Sequence, residues 1–183
     1  GSLSVKLPGG NFLTTPTGSS FGRLDANQLS VVSIEGNHLS GDYPSKEVSF
    51  HLAIYRNNPK CNAIVHLHST YLTALSCMDG LVQENAIAPF TPYYVMRVGK
   101  LPVIPYYRPG DPRIADELAI RAADNIAFLL ANHGSVVTGK DLLEAVNNAE
   151  ELEETAKLVM LLADRPVRYL TNEEIKDLGE RRV

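Results

Sequence analysis

Short hydrophobic runs separated by turn residues open the chain. A β-prone run at residues 12–15 ends at the turn signal Pro16-Thr17-Gly18. A second run at 31–34 is followed by a Glu-Gly-Asn break and a third run at 38–40. Short runs with such breaks between them are typical of strands joined by tight turns. The pattern therefore predicts three short strands before residue 41, with a hairpin-like connection between the last two.

From residue 44 onward, helical periods alternate with short apolar runs. Val48, Leu52 and Tyr55 recur at i, i+4 and i+7, which predicts one apolar face of a helix over 44–58 with Ser45 capping its start. The same reasoning predicts helices over 69–77, 114–125 and 142–163, the last with Asp141 as its N-cap. Apolar runs predict strands over 63–68, 101–106, 127–131 and 135–138, and two prolines place the 101–106 strand at a sheet edge. This mixture indicates an α/β or α+β protein with a central sheet and flanking helices.

Composition and charge narrow the range of functions. The 183 residues suit a single domain over residues 1–183. Hydrophobic residues make up 44% and charged residues 21%, a globular balance that excludes wholesale disorder. The 17 basic and 21 acidic residues leave a net charge of −4, which argues against nucleic-acid and anionic-membrane partners. The longest apolar runs are far shorter than the roughly 18 residues needed to cross a bilayer.

The cysteines and the start of the chain bear on the cell compartment and on the domain limits. Cys61 and Cys77 form no legible disulfide framework, and no signal-peptide pattern follows Gly1. We therefore expect a cytoplasmic protein with reduced thiols. Residues 1–7 already have the pattern of a turn entering a strand. Because globular chains seldom begin within such a pattern, we expect an N-terminal segment to precede Gly1.

Three histidines are the candidate metal ligands. His66 and His68 are two apart on a predicted strand, so their imidazoles project from the same face and can bind one metal ion. The alternative is a pair of half-exposed histidines at a strand end. His133 follows another predicted strand, in a turn beside glycine that can direct it towards the same sheet edge, or it can bond only to backbone. Three imidazoles match an open catalytic zinc site.

Glu47 is the candidate acid/base residue, although carboxylates are also common in the first turn of a helix because of the helix dipole. His51, four residues later, is interpreted as a packing or supporting residue, and His38 as solvated. A hydroxyl-rich turn at residues 15–20 can cradle a phosphate, or it can be a simple surface turn. The predicted helix start at Ser45-Lys46 can add backbone donors and one cation to that phosphate site.

Four motifs in this order resemble the class II aldolase/adducin family over nearly the whole chain: Thr15-Pro16-Thr17-Gly18, Pro44-Ser45-Lys46-Glu47, His66-Leu67-His68 and Asn132-His133-Gly134. The resemblance implies a single α/β domain around a mostly antiparallel sheet, with helices on its flanks. It also implies zinc bound by His66, His68 and His133, and a homotetramer with sites at subunit interfaces.

The resemblance assigns further roles residue by residue. Glu47 matches the acid/base glutamate, which can approach the metal when substrate is absent. Thr17, Gly18 and Ser45 match positions that contact phosphate. Tyr93 falls near a tyrosine that reaches the site of an adjacent subunit and handles a proton. Many relatives have Gly-Asn where this chain has Gly1-Ser2, so we expect one phosphate contact to be weaker.

Four stretches, at residues 40–47, 90–93, 106–111 and 150–157, resemble more narrowly a branch that decarboxylates 3-oxo-tetronate 4-phosphates in sugar-acid catabolism. This implies conversion to dihydroxyacetone phosphate and CO₂ through a metal-stabilised enediolate. Lys46, where the aldolases usually have a serine, fits a substrate with an extra carboxylate. The alternatives are a fuculose-phosphate-type aldolase, a 4-epimerase, and a non-catalytic scaffold of the adducin kind, which would not need the histidines.

Overall fold

The computed structural model describes residues 1–179, and within them eight strands form one sheet. In spatial order the sheet runs β4-β3-β2-β1-β5-β8-β7-β6. Every neighbouring pair is antiparallel except β6 and β7 at one edge, which are parallel. The strands are β1 (Ser2–Lys6), β2 (Phe12–Thr14), β3 (Ser30–Val32), β4 (His38–Ser40), β5 (Ala63–Leu67), β6 (Val103–Ile104), β7 (Ala127–Leu130) and β8 (Gly134–Gly139).

Helices cover both faces of this sheet. They are α1 (Val48–Asn57), α2 (Thr70–Ser76), α3 (Pro92–Arg97), α4 (Pro112–Arg121), α5 (Leu142–Leu161) and α6 (Asn172–Gly179). Ile64 belongs to the core under α1 and α4, whereas Val65 belongs to the core under α2, α3 and α5. Successive strand residues point to opposite faces, so the two cores lie on opposite sides of the sheet. Within residues 1–179, no helix combines the length and the apolar character needed to cross a bilayer.

This architecture confirms the predicted single-domain α/β class with a mostly antiparallel sheet. The predicted hairpin is present, with Val32 opposite His38. The strand predicted over 101–106 is shortened to Val103–Ile104, flanked by Pro102 and Pro105, and it lies at the sheet edge as β6. The side chain of Asp141 caps α5 by accepting a hydrogen bond from the backbone N–H of Glu144 at 2.8 Å. The local pattern of apolar and turn residues therefore predicted the hairpin, the edge strand and the start of α5 correctly.

Two predicted helix boundaries are wrong. The first helix begins at Val48 rather than at residue 44, because Pro44 forms an antiparallel bridge with Pro16 and the residues that follow it form a turn, with a bond from the Val48 N–H to the Ser45 carbonyl at 3.1 Å. Glu47 is consequently the N-cap residue of α1. The helix predicted over 114–125 spans Pro112–Arg121 instead. The side-chain amide of Asn125 donates to the carbonyl of Arg121 at 2.9 Å, which satisfies a carbonyl at the helix end.

His51 gives a testable acid sensitivity. Burial, with a smaller contribution from the nearby His66, lowers the pKa of His51 to about 3, although the charge of Glu47 opposes this shift. A histidine in the unfolded chain has a pKa near 6.5. Below that pH the unfolded chain therefore binds a proton at His51 that the native state does not bind. We expect this residue to remove up to about 1.4 kcal/mol of unfolding free energy per pH unit between about pH 6 and pH 4.

Urea unfolding across this pH range measures the effect in the native sequence and in His51→Gln. The comparison uses the slope of stability against pH, so a uniform loss of stability in the variant does not affect it. His51→Gln is expected to have a shallower acid slope. An unchanged slope would show that other groups cause the acid sensitivity.

Candidate metal centre

Four potential ligands come together at one end of the central strands β5 and β8, beside the start of α1. His66 is near the end of β5, and His68 follows that strand. His133 lies in the turn that precedes β8, the antiparallel neighbour of β5. Glu47 comes from the N-cap of α1. One ligand atom from each of these four residues lies within 4.8 Å of every other.

The distances within this cluster show that the carboxylate of Glu47 and the imidazoles of the three histidines all point towards one small volume. Oε2 of Glu47 lies 3.0 Å from Nε2 of His66 and 3.7 Å from Nε2 of His133. Nε2 of His133 lies 3.1 Å from Nε2 of His68. His66 is fully buried, whereas His68 is exposed, so the cluster opens towards solvent on one side.

The hydrogen bonding of His66 tests whether a cation fits. Its Nδ1–H donates to the backbone carbonyl of Ser135 at 2.8 Å, so the neutral ring carries a lone pair on Nε2. That buried nitrogen has no hydrogen-bond partner, and the atom that faces it is a carboxylate oxygen. Two acceptors this close need a proton or a metal ion between them. With two more imidazole nitrogens alongside, the donor set fits a divalent metal ion.

The protonation states favour the same interpretation. Burial raises the pKa of Glu47, but the adjacent imidazole of His66 outweighs burial, and the pKa is lowered to about 2. Burial, together with His66 and His68, lowers the pKa of His133 to about 4, and burial also lowers the pKa of His68. At neutral pH the carboxylate is therefore ionised, and these two imidazoles are neutral. Metal ions bind these forms.

The predicted phosphate residues lie next to one another and beside Glu47. The bridge between Pro16 and Pro44 is extended by a bond from the Thr17 N–H to the Tyr43 carbonyl at 2.9 Å. Gly18 follows with φ of 69°, a conformation that favours glycine. The hydroxyl of Ser45 accepts the Glu47 N–H at 3.2 Å. Their contact with a phosphate remains a prediction.

The other predicted residues lie outside the cluster. Lys46 is exposed and lines a groove between α1 and α4. Tyr93 lies on α3 with 53% of the residue exposed, and its action at a neighbouring subunit remains a prediction. His38 is exposed and His51 is buried, in agreement with the sequence interpretation.

Ser76, at the end of α2, is a supporting residue that the sequence did not reveal. Its hydroxyl accepts the backbone N–H of His133 at 3.1 Å and donates to the carbonyl of Thr73 at 2.6 Å. Its own carbonyl accepts the N–H of Asn132 at 2.9 Å. The neighbouring Gly134 has no room for a side chain, because a Cβ would lie 2.4 Å from the carbonyl oxygen of Leu67. These contacts fix the turn that carries His133.

Ser76→Ala is therefore expected to weaken metal binding by about tenfold or more, as loss of support behind a ligand generally does. Competition with a metal-chelating dye measures the affinity. Thr155→Ala is a matched control, because it removes a buried hydroxyl that donates to the Glu151 carbonyl in α5, away from the cluster. Equal affinities in the native protein and Ser76→Ala would contradict the supporting role.

Comparison with known proteins places this site in a family. The family model for the class II aldolase and adducin N-terminal domain matches residues 1–160. The chain is 66% identical over 178 residues to the 3-oxo-tetronate 4-phosphate decarboxylase of Escherichia coli (strain K12), covering 97% of this chain and 84% of that one. The chain belongs to the class II aldolase and adducin family. Its membership of this family and its own Glu/His cluster together indicate a divalent metal centre.

Two further similarities help to define its relatives. The crystal structure of YgbL from Escherichia coli superposes with a TM-score of 0.96 at 65% identity, covering 97% of this chain and 86% of that one. The L-fuculose phosphate aldolase of Methanococcus maripaludis (strain C5) is 38% identical over 158 residues, covering 86% of this chain and 82% of that one. Similarity is thus much greater to a decarboxylase than to an aldolase.

Proposed function

We propose that this protein is a metal-dependent carboxy-lyase that converts a 3-oxo-tetronate 4-phosphate to dihydroxyacetone phosphate and CO₂. The observation that carries the proposal is the convergence of Glu47, His66, His68 and His133 in a chain 66% identical to decarboxylases of that name. A complete ligand set beside a carboxylate also argues against a purely structural scaffold.

The substrate is a β-keto acid, so the electrons of the broken carbon–carbon bond flow towards its ketone oxygen. When bound, the divalent ion is a Lewis acid that stabilises this negative charge. His66, His68 and His133 would hold it through neutral nitrogens, which leave the full charge of the ion in the site. The exposed side of the cluster leaves room for substrate.

Loss of CO₂ leaves a carbon that must gain a proton. Glu47 is the first choice for this step, because its carboxylate adjoins the cluster and its side chain is 19% exposed. It can therefore take up a proton from water and transfer it to the substrate carbon. Tyr93, from a neighbouring subunit, is the second choice. Thr17, Gly18 and Ser45 would bind the phosphate and hold the reacting carbon in register.

The alternative is a sugar-phosphate aldolase, because retro-aldol cleavage also sends negative charge to the ketone oxygen of its substrate. The greater identity to decarboxylases (66%) than to an aldolase (38%) favours the decarboxylase, whereas Lys46, which lines a groove outside the cluster, does not decide between the two. Incubation with 3-oxo-tetronate 4-phosphate is expected to release CO₂ and dihydroxyacetone phosphate in equal amounts. Release of an aldehyde from fuculose 1-phosphate, with no CO₂ from the oxo acid, would overturn this assignment.

Three finer proposals accompany this function. Zinc is the resident ion, because a three-histidine set is a common catalytic zinc site. The assembly is a homotetramer in which Tyr93 serves an adjacent subunit, and light scattering on the purified protein tests the mass. The enzyme acts in the cytoplasm, where the unpaired thiols of Cys61 and Cys77 would stay reduced.

A further inference from the structure

The short helix α2 contacts the segments that carry two of the candidate metal ligands. His68 is separated from the first residue of this helix by Ser69 alone. At the other end of the helix, Ser76 accepts the backbone N–H of His133 with its hydroxyl and that of Asn132 with its carbonyl. The two imidazoles are close, with 3.1 Å between their Nε2 atoms. Their separation therefore depends on where α2 lies.

The helix α2 needs support from other parts of the protein to keep its position. It has seven residues, and a helix of this length is only marginally stable by itself in water. Its N-cap residue, Ser69, forms no side-chain hydrogen bond to the N–H groups of the first turn, although a serine at this position commonly does so. Those N–H groups have no partner within the helix and require one from outside it.

Glu153 of α5 provides that partner. Its Oε2 accepts the backbone N–H of Tyr71 at 3.1 Å, and its Oε1 accepts the backbone N–H of Leu72 at 2.9 Å. Both oxygens of one carboxylate are thus bonded to the first turn of α2, where a negative charge is also favourable. The ammonium of Lys157, one turn further along α5, lies 5.8 Å from the centre of the Tyr71 ring. This cation–π contact joins the same two helices.

We propose that Glu153 is a positioning residue for His68 and His133, an inference that rests on the proposed metal centre. Loss of its carboxylate leaves two N–H groups of the first turn without a partner, so the start of α2 is no longer fixed. A displaced α2 shifts the segment that follows His68 and the turn that Ser76 holds. The two imidazoles are then no longer held at the spacing that one ion requires, and metal affinity falls.

A positioning residue and a residue that only stabilises the fold have different signatures. A helix cap with a purely structural role contributes to the free energy of unfolding, but its loss leaves the metal affinity of the folded protein unchanged. Loss of a positioning residue lowers that affinity as well. The two quantities are measured separately, by denaturant unfolding of the metal-free protein and by competition for zinc with a metal-chelating dye.

In Glu153→Ala we expect zinc affinity to fall about three- to tenfold, less than in Ser76→Ala, because Glu153 is one contact further from the ligands. Glu153→Gln keeps one acceptor oxygen and should give a smaller loss. Asp141→Ala is the matched control. It removes a carboxylate that caps the start of α5 through the Glu144 N–H, at the end of β8 opposite His133. The control should lower the free energy of unfolding and leave zinc affinity unchanged.

Equal zinc affinity in the native protein and Glu153→Ala would overturn the proposal, even if CO₂ release is confirmed. An equal loss in Asp141→Ala would overturn it as well, because lower stability would then explain the effect. Lowered affinity in Glu153→Ala alone, with no CO₂ release by the native protein, would refute the decarboxylase function and leave the positioning role intact.

A further measurement needs no variant. Amide hydrogen exchange of the native protein should show the N–H groups of Tyr71 and Leu72 protected, although first-turn amides of a helix have no partner within it. Rapid exchange of both amides would show that the Glu153 carboxylate does not hold α2, and would refute the proposal.

Discussion

His66→Ala is expected to lose the metal ion and to reduce CO₂ release by several orders of magnitude. The substitution removes the fully buried ligand whose tautomer is fixed by Ser135, and it leaves two histidines, one of them exposed. A bound metal stabilises transition-state charge by several kcal/mol, and about 4 kcal/mol corresponds to three orders of magnitude in rate. Metal content by mass spectrometry and steady-state CO₂ release measure the two effects.

His38→Ala is the matched control, since it changes an exposed histidine outside the cluster in the same way. It should keep both the metal ion and the activity. Near-native activity in a metal-free preparation of His66→Ala would end the proposed mechanism.

Glu47→Gln is expected to separate proton transfer from metal binding. The amide has nearly the shape of the carboxylate but cannot carry the proton, so kcat should fall by about 10²- to 10⁴-fold, the usual contribution of a general acid or base. Three histidines remain, and we therefore expect the variant to keep one metal ion per chain with little change in KM.

Two outcomes would count against this role for Glu47. If Glu47→Gln turns over at the native rate, another group delivers the proton, and Tyr93 becomes the first candidate. If the variant loses its metal, then Glu47 acts chiefly as a ligand, which its 3.0 Å approach to Nε2 of His66 allows.

The site was predictable from sequence where local geometry determines it. The spacing of His66 and His68 puts two imidazoles on one side of a strand end, and glycine after His133 marks a turn. That these two places adjoin depends on the antiparallel pairing of β5 with β8. Strand patterns alone do not specify such pairings between distant residues. The family resemblance, rather than the spacing, linked the two in advance.

Other features were not predictable because distant segments override local preference. The bridge between Pro16 and Pro44 delays the start of α1, although residues 44–47 are acceptable helix formers at a first turn. The short helix α3 buries only Tyr94, and α6 has no buried residue, so neither is formed around a buried apolar face that would have marked it in the sequence. The supporting contact of the Ser76 hydroxyl exists only once strands and helices pack.

Titration of zinc into metal-free protein, with CO₂ release from 3-oxo-tetronate 4-phosphate followed at each step, tests the central claim most directly. The claim is that the four converging side chains bind one divalent ion on which the reaction depends. Activity is expected to be absent at the start, to rise in proportion to added zinc, and to level off at one ion per chain. Full CO₂ release from the metal-free protein, unchanged by added zinc, would contradict it.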